Sequence, residues 1–416
     1  MIALIEALNY RCLRYVRQEL DGFQVLVGPN ASGKSTFLDV VAFLGDLLRD
    51  GPEAAVLKRS SRIEELVWNQ HGSRFELAVE LLIPEPKDEA TKQHSICRYE
   101  VAVGTDQESD QIRVLAETLW LHQRFNGAPK PQRSLFPQEP DAPETILFGS
   151  SKTRPGWRTV VKKVQDSGND YFKSETTDWN NSFRIGPTKA ALANLPEDAT
   201  KFPVATWAKR FLMEGIQTLA LNSAAMRRPS QPGMGRVFRP DGSNLPYVIK
   251  RLMKTNQDRF EAWIEHLRTA FPHLHTIRIR ERREDRHLYL TITDKLGVRV
   301  PSWLVSDGTL RLLALTLLAY TQQSGVAYLI EEPENGIHPI AVQTVFQSLS
   351  SAYDSQILVA SHSPVFLSLA APKQILCFSR TAGGATDIVN GLEHPKLKDW
   401  KGGVTLSDLF AAGVLG

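Results

Sequence analysis

The sequence predicts an α/β fold: a mixed sheet with flanking helices, joined to an antiparallel β subdomain. A glycine-rich loop at 28–36 lies between an apolar run that suits a buried strand and a run whose apolar spacing suits a helix. Two later apolar runs, 326–330 and 356–360, also indicate buried strands. Apolar and polar residues alternate with period two in three further segments, which predicts half-buried antiparallel strands. These segments are 74–81, 97–103 and 112–121.

In the first half of the chain, apolar strands are predicted at 2–8 and 23–27, and a helix at 37–44. The alternating segments then predict a small antiparallel sheet beside the glycine-rich loop. Residues 122–186 contain proline-rich pieces and aromatic residues without a clear period. We expect long loops there, with a hairpin around 157–164.

The second half of the chain begins with an Ala/Leu-rich segment at 188–225, which predicts helix. After a Pro/Gly/Arg-rich break, residues 244–271 have the apolar spacing of a helix. Two strands at 275–279 and 288–292 are predicted to form a hairpin across a charged turn. The sequence shows neither an internal repeat nor a sustained heptad pattern, so we expect no long coiled-coil arm.

Composition excludes several classes of protein. A chain of 416 residues with 42% hydrophobic residues can build two or three domain-sized cores, and its net charge of +3 permits nucleic-acid binding without requiring it. Cys12, Cys97 and Cys377 lie far apart without C-x-x-C spacing, which favours a reducing compartment over a zinc site or a disulfide framework. No signal peptide and no membrane-spanning run is recognisable, so we expect a cytoplasmic protein.

The loop at 28–36 has the G-x-x-x-x-G-K-[ST] pattern of a phosphate-binding loop. Gly28 and Gly33 let the backbone curl so that its N–H groups point at phosphate oxygens, and the following helix adds the positive end of its dipole. Lys34 is expected to bridge the β- and γ-phosphates of ATP, and Ser35 to offer its hydroxyl to Mg²⁺. The predicted ATP-binding loop consists of Gly28, Pro29, Asn30, Ala31, Ser32, Gly33, Lys34, Ser35 and Thr36.

The last third of the chain supplies the other chemistry. Glu331 and Glu332 follow an apolar strand and open the run E-E-P-E-N-G-I-H-P, while His362 follows the next predicted strand. Phosphoryl transfer to water requires a metal near the phosphates, a carboxylate that deprotonates water, and donors around the γ-phosphate. Ser306 stands at the start of an apolar helix, where it and the following backbone N–H groups would form a second anion-binding site. Each piece alone has an ordinary structural explanation, such as a helix cap. Together, behind a phosphate loop, they predict ATP hydrolysis.

With these motifs in this order, the chain resembles the ABC-type ATPases. The resemblance is to the RecF/SMC-like branch and to bacterial ATPases related to OLD-family nucleases and anti-phage defence operons. The matching motifs cover roughly 2–44 and 244–410. The resemblance implies an ABC-type P-loop ATPase head with an inserted, partly helical middle region. The implied division is an N-terminal ATPase lobe at 1–121, an insertion at 122–243 and a C-terminal ATPase lobe at 244–416.

The resemblance also implies a role for each catalytic residue. The loop 28–36 would be the Walker A motif, with Lys34 on the phosphates. Glu331 would end the Walker B strand and bind Mg²⁺ together with Ser35. Glu332 would be the catalytic glutamate and His362 the switch histidine.

A dimer is implied by the remaining motifs. Residues 305–309 would form the signature motif, in which Ser306 and Gly308 contact the ATP held by a second copy in a head-to-tail dimer. Residues 335–338 would be the D-loop. Arg11 matches a basic position near the nucleotide in relatives, although an ordinary surface arginine is the alternative.

The sequence departs from the family pattern at several positions. Glu331 stands where an aspartate is usual, and Asp307 and Thr309 make the signature motif degenerate, which is compatible with slow hydrolysis. Gln70 and Gln217 are both candidates for the glutamine of the Q-loop.

The resemblance further suggests partners and alternatives. The expected partners are a second copy of the chain (or a higher oligomer) and a separately encoded effector, a nuclease or toxin, with no membrane; the process would be anti-phage defence or DNA repair. One alternative is an ATP-sensing scaffold with little turnover. A transporter subunit is disfavoured by the antiparallel sheet and the middle insertion. An OLD-type nuclease is disfavoured because no D-x-D follows His362.

Three basic stretches raise the question of DNA or RNA contact. The cations of 152–163 and 227–239 are not interrupted by acidic residues, whereas 278–286 mixes arginines with acids. The first two are therefore the favoured nucleic-acid contacts, and an ordinary solvated surface is the alternative for all three.

Overall fold

The computed structural model describes residues 1–84, 94–105, 110–124, 133–148, 155–164, 168–235, 237–321, 323–397 and 408. The strands are β1 (Ile2–Tyr10), β2 (Leu13–Glu19), β3 (Phe23–Val27), β4 (Arg74–Leu82), β5 (Ile96–Thr105), β6 (Ile112–His122), β7 (Arg158–Lys163), β8 (Asp170–Lys173), β9 (Asn180–Phe183), β10 (Ile216–Leu219), β11 (Leu274–Glu281), β12 (Leu288–Asp294), β13 (Arg299–Pro301), β14 (Ala327–Glu331), β15 (Gln356–Ala360), β16 (Ile375–Arg380) and β17 (Thr386–Asn390). The helices are α1 (Lys34–Asp50), α2 (Pro52–Leu57), α3 (Pro203–Arg210), α4 (Ser223–Arg227), α5 (Leu245–Thr255), α6 (Gln257–Ala270), α7 (Asp307–Leu317), α8 (Pro339–Ser350) and α9 (Pro364–Leu369).

A six-stranded core sheet has the order β10-β14-β15-β3-β16-β17. Its first five strands are parallel, and β17 runs antiparallel to β16. All five residues of β3 are buried, as expected for a strand covered on both faces. Because parallel strands end at the same edge of a sheet, the residues that follow β3, β14 and β15 meet there.

The antiparallel sheet has eight strands, in the order β2-β1-β4-β5-β6-β7-β8-β9. The three predicted strands are confirmed as its centre, β4 to β6. The sheet is larger than predicted because the hairpin of β1 and β2 pairs with β4, and β7 to β9 extend the other edge.

The antiparallel sheet also buries charge. Arg98 is 1% exposed, and its guanidinium pairs with Glu6 at 2.8 Å, Glu100 at 3.0 Å and Glu80 at 3.3 Å. The same guanidinium lies over the ring of Phe148. Burial opposes the charge of Arg98, but the carboxylates outweigh this effect and raise its pKa. One buried cation is thus shared by three carboxylates.

Two predicted helical segments differ from the structure. Within 188–225, only α3 and α4 are α-helices, and β10 joins the core sheet beside β14. The segment 244–271 is two helices, because Asn256 interrupts it. The Asn256 side chain caps α6 by accepting a hydrogen bond from the backbone N–H of Arg259 at 3.0 Å.

The predicted hairpin at 275–292 is confirmed as β11 and β12, and β13 adds a third strand. The division into three domains stays a prediction, since β7 to β9 and β10, all from 122–243, belong to the two larger sheets. In the part of the chain that the structure describes, no helix combines the length and apolar character needed to cross a membrane.

Candidate functional site

The glycine-rich loop is shaped by contact with the strand pair β16–β17. Gly28 and Gly33 have φ values of 151° and 103°. A Cβ on Gly28 would lie 2.2 Å from the carbonyl oxygen of Phe378, and one on Gly33 would lie 2.3 Å from Oγ1 of Thr386. The Thr386 hydroxyl also donates to the Ser32 carbonyl oxygen at 2.9 Å. Both positions therefore require glycine.

Lys34, the first residue of α1, is buried within the loop. Its Nζ donates to the carbonyl oxygens of Gly28 and Pro29, both at 2.8 Å. Burial lowers the pKa of Lys34 to about 8, although Glu331 and Glu332 act in the opposite direction. Because burial destabilises the charged form of this ammonium group, an anion that enters the cleft stabilises it.

Ser35 and Glu331 meet at the edge of the core sheet where β3 and β14 end. The Ser35 Oγ donates to Oε2 of Glu331 at 2.8 Å, so the two predicted magnesium ligands form a pair of oxygen donors. Among the described residues, no group of three or more His, Cys, Asp or Glu side chains could hold a metal. The pair suits Mg²⁺, which takes one or two protein ligands and completes its shell with water and phosphate oxygens.

Glu332 has a left-handed backbone conformation, with φ of 46°. Its N–H donates to the carbonyl oxygen of Ala360 at 2.8 Å, continuing the pairing of β14 with β15. The Asn335 side-chain amide donates to Oε2 of Glu332. Such φ values are uncommon for residues other than glycine, and they often accompany functional sites. Here the conformation places Glu331 and Glu332 on the same cleft.

His362 follows β15 and is fixed by Glu334. One carboxylate oxygen of Glu334 accepts from the Ser361 hydroxyl at 2.7 Å and from the His362 backbone N–H at 3.1 Å. Burial and the nearby Lys34 lower the pKa of His362, and Glu332 and Glu334 oppose this shift only in part. The imidazole is therefore mainly neutral at pH 7 and carries one N–H donor.

These side chains line one cleft of about 440 Å³. The lining residues are Arg11, Cys12, Asn30, Ala31, Ser32, Gly33, Lys34, Ser35, Thr36, Glu331, Glu332, Ala360, His362 and Arg380. The structure thus brings together residues from both ends of the chain. Arg380 and Cys12 were not predicted. Arg380 ends an apolar strand, the same signal that marks Glu331.

Arg11 stands at the wall of the cleft in a turn with φ of 52°. Its N–H donates to the carbonyl oxygen of Leu66 at 2.8 Å, and its guanidinium lies 3.7 Å from Asp39. Within the described part of the chain, neither Gln70 nor Gln217 lines the cleft. The choice between these two glutamines stays open.

Ser306 and Gly308 do not line this cleft among the residues that the structure describes. Ser306 caps α7, since its Oγ accepts from the backbone N–H of Thr309 at 3.2 Å, and it is exposed. A Cβ on Gly308 would lie 2.4 Å from the carbonyl oxygen of Gly336. The start of α7 therefore packs directly on the predicted D-loop.

Arg227 holds the segment before α7. Its Nη2 lies 2.5 Å from Oδ1 of Asp307, and its Nε donates to the carbonyl oxygen of Val305 at 3.0 Å. The sequence placed Arg227 in a basic stretch free of acids, but the fold supplies Asp307 as its partner. Arg227 therefore positions the predicted signature motif.

The basic stretch at 152–163 is similarly engaged. Lys163 is buried and pairs with Asp170 at 2.6 Å. Arg158 donates to backbone carbonyl oxygens. Lys152 and Arg154, like Arg236 of the second stretch, lie outside the described residues. The structure thus pairs one cation of each favoured stretch, Lys163 and Arg227, with a carboxylate.

Comparison with known proteins gives one family and one fold. The family model described as "AAA domain, putative AbiEii toxin, Type IV TA system" matches residues 23–368. An SMC head bound to the C-winged helix domain of ScpA is similar in structure, with a TM-score of 0.53, 16% identity, and coverage of 93% of this chain and 97% of that chain. The Smc head domain of Pyrococcus furiosus, bound to the C-terminal domain of ScpA, has a TM-score of 0.48 and 14% identity over 99% and 98% of the two chains. No curated protein matches the sequence.

Proposed function

The chain belongs to the family of AAA domains described with the putative AbiEii toxin of Type IV TA systems, and on this premise we propose that it binds and hydrolyses ATP in the cleft. The predicted fold class, an ABC-type ATPase head, is confirmed by the similarity to the SMC head. The observation that carries the proposal is the hydrogen bond between Ser35 and Glu331. It joins the phosphate loop to the end of β14 and brings the two oxygens to 2.8 Å.

The cleft residues divide the work of phosphoryl transfer. The loop N–H groups and Lys34 hold the phosphates, and Ser35 and Glu331 would hold Mg²⁺, which when bound screens the phosphate charge. Glu332 orients the attacking water and takes its proton as the oxygen–phosphorus bond forms. The bond between the γ-phosphorus and the oxygen that links it to the β-phosphate breaks, and ADP leaves. The neutral His362 donates a hydrogen bond to an oxygen of the transferred group.

A first prediction concerns protons. Because the pKa of Lys34 is about 8 in the ATP-free protein and phosphates raise it, ATP binding takes up protons at alkaline pH. The uptake grows between pH 7 and roughly pH 9, where the free ammonium would otherwise be lost. Calorimetric titration with Mg-ATP in two buffers of different ionisation enthalpy measures it. Lys34→Arg keeps the charge permanently and abolishes this uptake. Tight binding with no uptake by the wild type would contradict the assignment of Lys34.

We also propose that two copies form a head-to-tail dimer around ATP. Three observations support this arrangement: Ser306 and Gly308 are not among the described residues lining the cleft of their own chain, Ser306 is exposed at the start of a helix of 11 residues, and Arg227 fixes the segment before it. In such a dimer, the helix start would face the γ-phosphate held by the other copy.

Ser306→Arg tests this geometry. ATP binding to one copy should stay within about twofold of the wild type, because substitutions away from the binding site have small effects. ATP-dependent association, measured by light scattering, should be lost, because a bulky cation replaces the hydroxyl at the interface. Ser351→Arg, at an exposed serine after α8, makes the same change and serves as the control.

Mixing Ser306→Arg with Lys34→Ala gives a second readout. In the mixed dimer, one site carries both defects, and the other combines an intact phosphate loop with an intact Ser306. Some hydrolysis should return on mixing, provided that one site can act alone. A Ser306→Arg protein that associates on ATP as the wild type does would refute the composite site.

The biological role is a further part of the proposal. The SMC head of similar fold is bound to the C-winged helix domain of ScpA, which supports a protein partner for this chain as well. We propose a separately encoded effector, a nuclease or toxin, in anti-phage defence or DNA repair. The cytoplasmic location stays a prediction. The second candidate function, an ATP-sensing scaffold, is favoured by Asp307, which is engaged by Arg227 rather than free at the signature motif. Steady-state phosphate release separates the two functions.

A further inference from the structure

The third basic stretch, 278–286, places its first arginines on one face of a strand. Arg278, Arg280 and Arg282 lie at alternate positions along β11 and its extension, and all three are exposed. The intervening Ile277 and Ile279 pair with Ile292 and Leu290 of β12 and contact the core. Since side chains alternate across a strand, the three arginines share the face of the sheet that points away from the core.

Two aromatic rings lie on the same face. Tyr289 is directly opposite Arg280 in the β11–β12 pair, so the two side chains are neighbours. The ring of Trp303, which is 44% exposed, lies 5.1 Å from that of Tyr289, and the guanidinium of Arg282 lies 5.9 Å from the Trp303 ring centre. Arg299, paired with Thr293, adds a fourth cation. We call Arg278, Arg280, Arg282, Tyr289, Arg299 and Trp303 the arginine face.

Little of this charge is neutralised. Within the described part of the chain, no carboxylate lies within 4.0 Å of Arg278, Arg280 or Arg299, whereas Arg282 lies 3.6 Å from Asp285. The acid of β11, Glu281, pairs with Leu288 and therefore lies on the opposite face, where it binds Lys250 and Arg286. The alternation of the strand thus separates the arginines from the acid that follows them in sequence.

We propose that the arginine face binds nucleic acid. The arginines contact the phosphodiester backbone, and Trp303 stacks on an unpaired base. An exposed row of cations with an adjacent aromatic platform is the arrangement that binds single strands. The proposal reaches beyond ATP hydrolysis, and it places the contact directly before Ser306. It also reverses the order expected from sequence, in which this stretch was the least favoured of the three.

The double variant Arg278→Glu/Arg280→Glu tests the backbone contact. The full chain is titrated into a fluorescent oligonucleotide at several salt concentrations, and binding is followed by anisotropy. Affinity at low salt should fall at least about tenfold, and the salt slope should become shallower by roughly two phosphate contacts. Lys250→Glu/Arg286→Glu makes the same change of charge on the opposite face and should leave affinity within about twofold. Repeating the titration with Lys34→Ala excludes binding of the oligonucleotide by the phosphate loop.

Trp303→Leu distinguishes single strands from duplex. It should weaken binding to a single strand about tenfold and leave binding to a duplex of the same sequence unchanged. The proposal would be overturned if Arg278→Glu/Arg280→Glu bound the oligonucleotide with wild-type affinity. It would also be overturned if this variant and Lys250→Glu/Arg286→Glu lost affinity equally. Binding of a polyglutamate peptide in place of the oligonucleotide would also overturn it, by assigning the face to an acidic protein.

Discussion

Glu332→Gln is expected to lower the rate of ATP hydrolysis by about 10² to 10⁴-fold while ATP remains bound. The glutamine amide keeps the shape of the side chain, and its oxygen can still accept the hydrogen bond from the Asn335 side chain. It cannot accept the proton of the attacking water. Binding depends mainly on the phosphate loop, which Glu332 does not touch through any hydrogen bond among the described residues. Single-turnover phosphate release and calorimetry with Mg-ATP measure the two quantities separately.

Glu331→Gln is the matched comparison, because it changes the neighbouring carboxylate in the same way. The substitution removes the negative charge beside Ser35 that would hold Mg²⁺, so it should weaken Mg-ATP binding as well as turnover. The two variants therefore differ in KM as well as in kcat. Wild-type turnover by Glu332→Gln would show that another group is the general base.

Arg98→Met is expected to reduce the free energy of unfolding by about 3–5 kcal/mol. The substitution leaves Glu6, Glu80 and Glu100 without their shared cation in a region where Arg98 itself is 1% exposed. Urea unfolding, followed by circular dichroism, measures the loss. Arg62→Met removes an arginine whose side chain is 70% exposed and should change stability by less than about 0.5 kcal/mol.

The stability loss in Arg98→Met should depend on pH. Burial already raises the pKa of Glu100 in the wild type, and removing the cation raises it further. The folded variant then binds more protons than the unfolded chain, so its unfolding free energy recovers as pH falls from 7 towards 5. A loss of under about 1 kcal/mol at pH 7, or a loss independent of pH, would show that the buried carboxylates are neutralised by other means.

The parts of the site that could be predicted are those whose chemistry is local in sequence. The loop 28–36 is contiguous, and Glu331, Glu332 and His362 each follow a short apolar strand. β10 was missed because it has only four residues, too few to show the alternation of apolar and polar residues that predicts a strand. It becomes a strand by pairing with β14. β2 was missed because three of its seven residues are charged, and it becomes a strand by pairing with β1.

Sequence patterns do not predict contacts between residues that lie far apart along the chain. Asp307 lies far from Arg227 along the chain, so the pair becomes visible only when α4 and α7 pack together. The arginine face depends on the register of β11 with β12, which decides the side of the sheet on which each arginine lies. Arg380 was reachable in principle, but its place beside the loop follows from the position of β16 next to β3.

The position of β3 between β15 and β16 has a consequence for biosynthesis. The strand that carries the phosphate loop leaves the ribosome early, yet both of its neighbours come from residues 356–380. The residues that shape Gly28 and Gly33, Phe378 and Thr386, are translated at the same late stage. Nascent chains halted before residue 356 therefore contain the complete loop sequence but lack β15 and β16, the two strands that flank β3. We expect such chains not to hold nucleotide, because the loop lacks the neighbouring strands that position it.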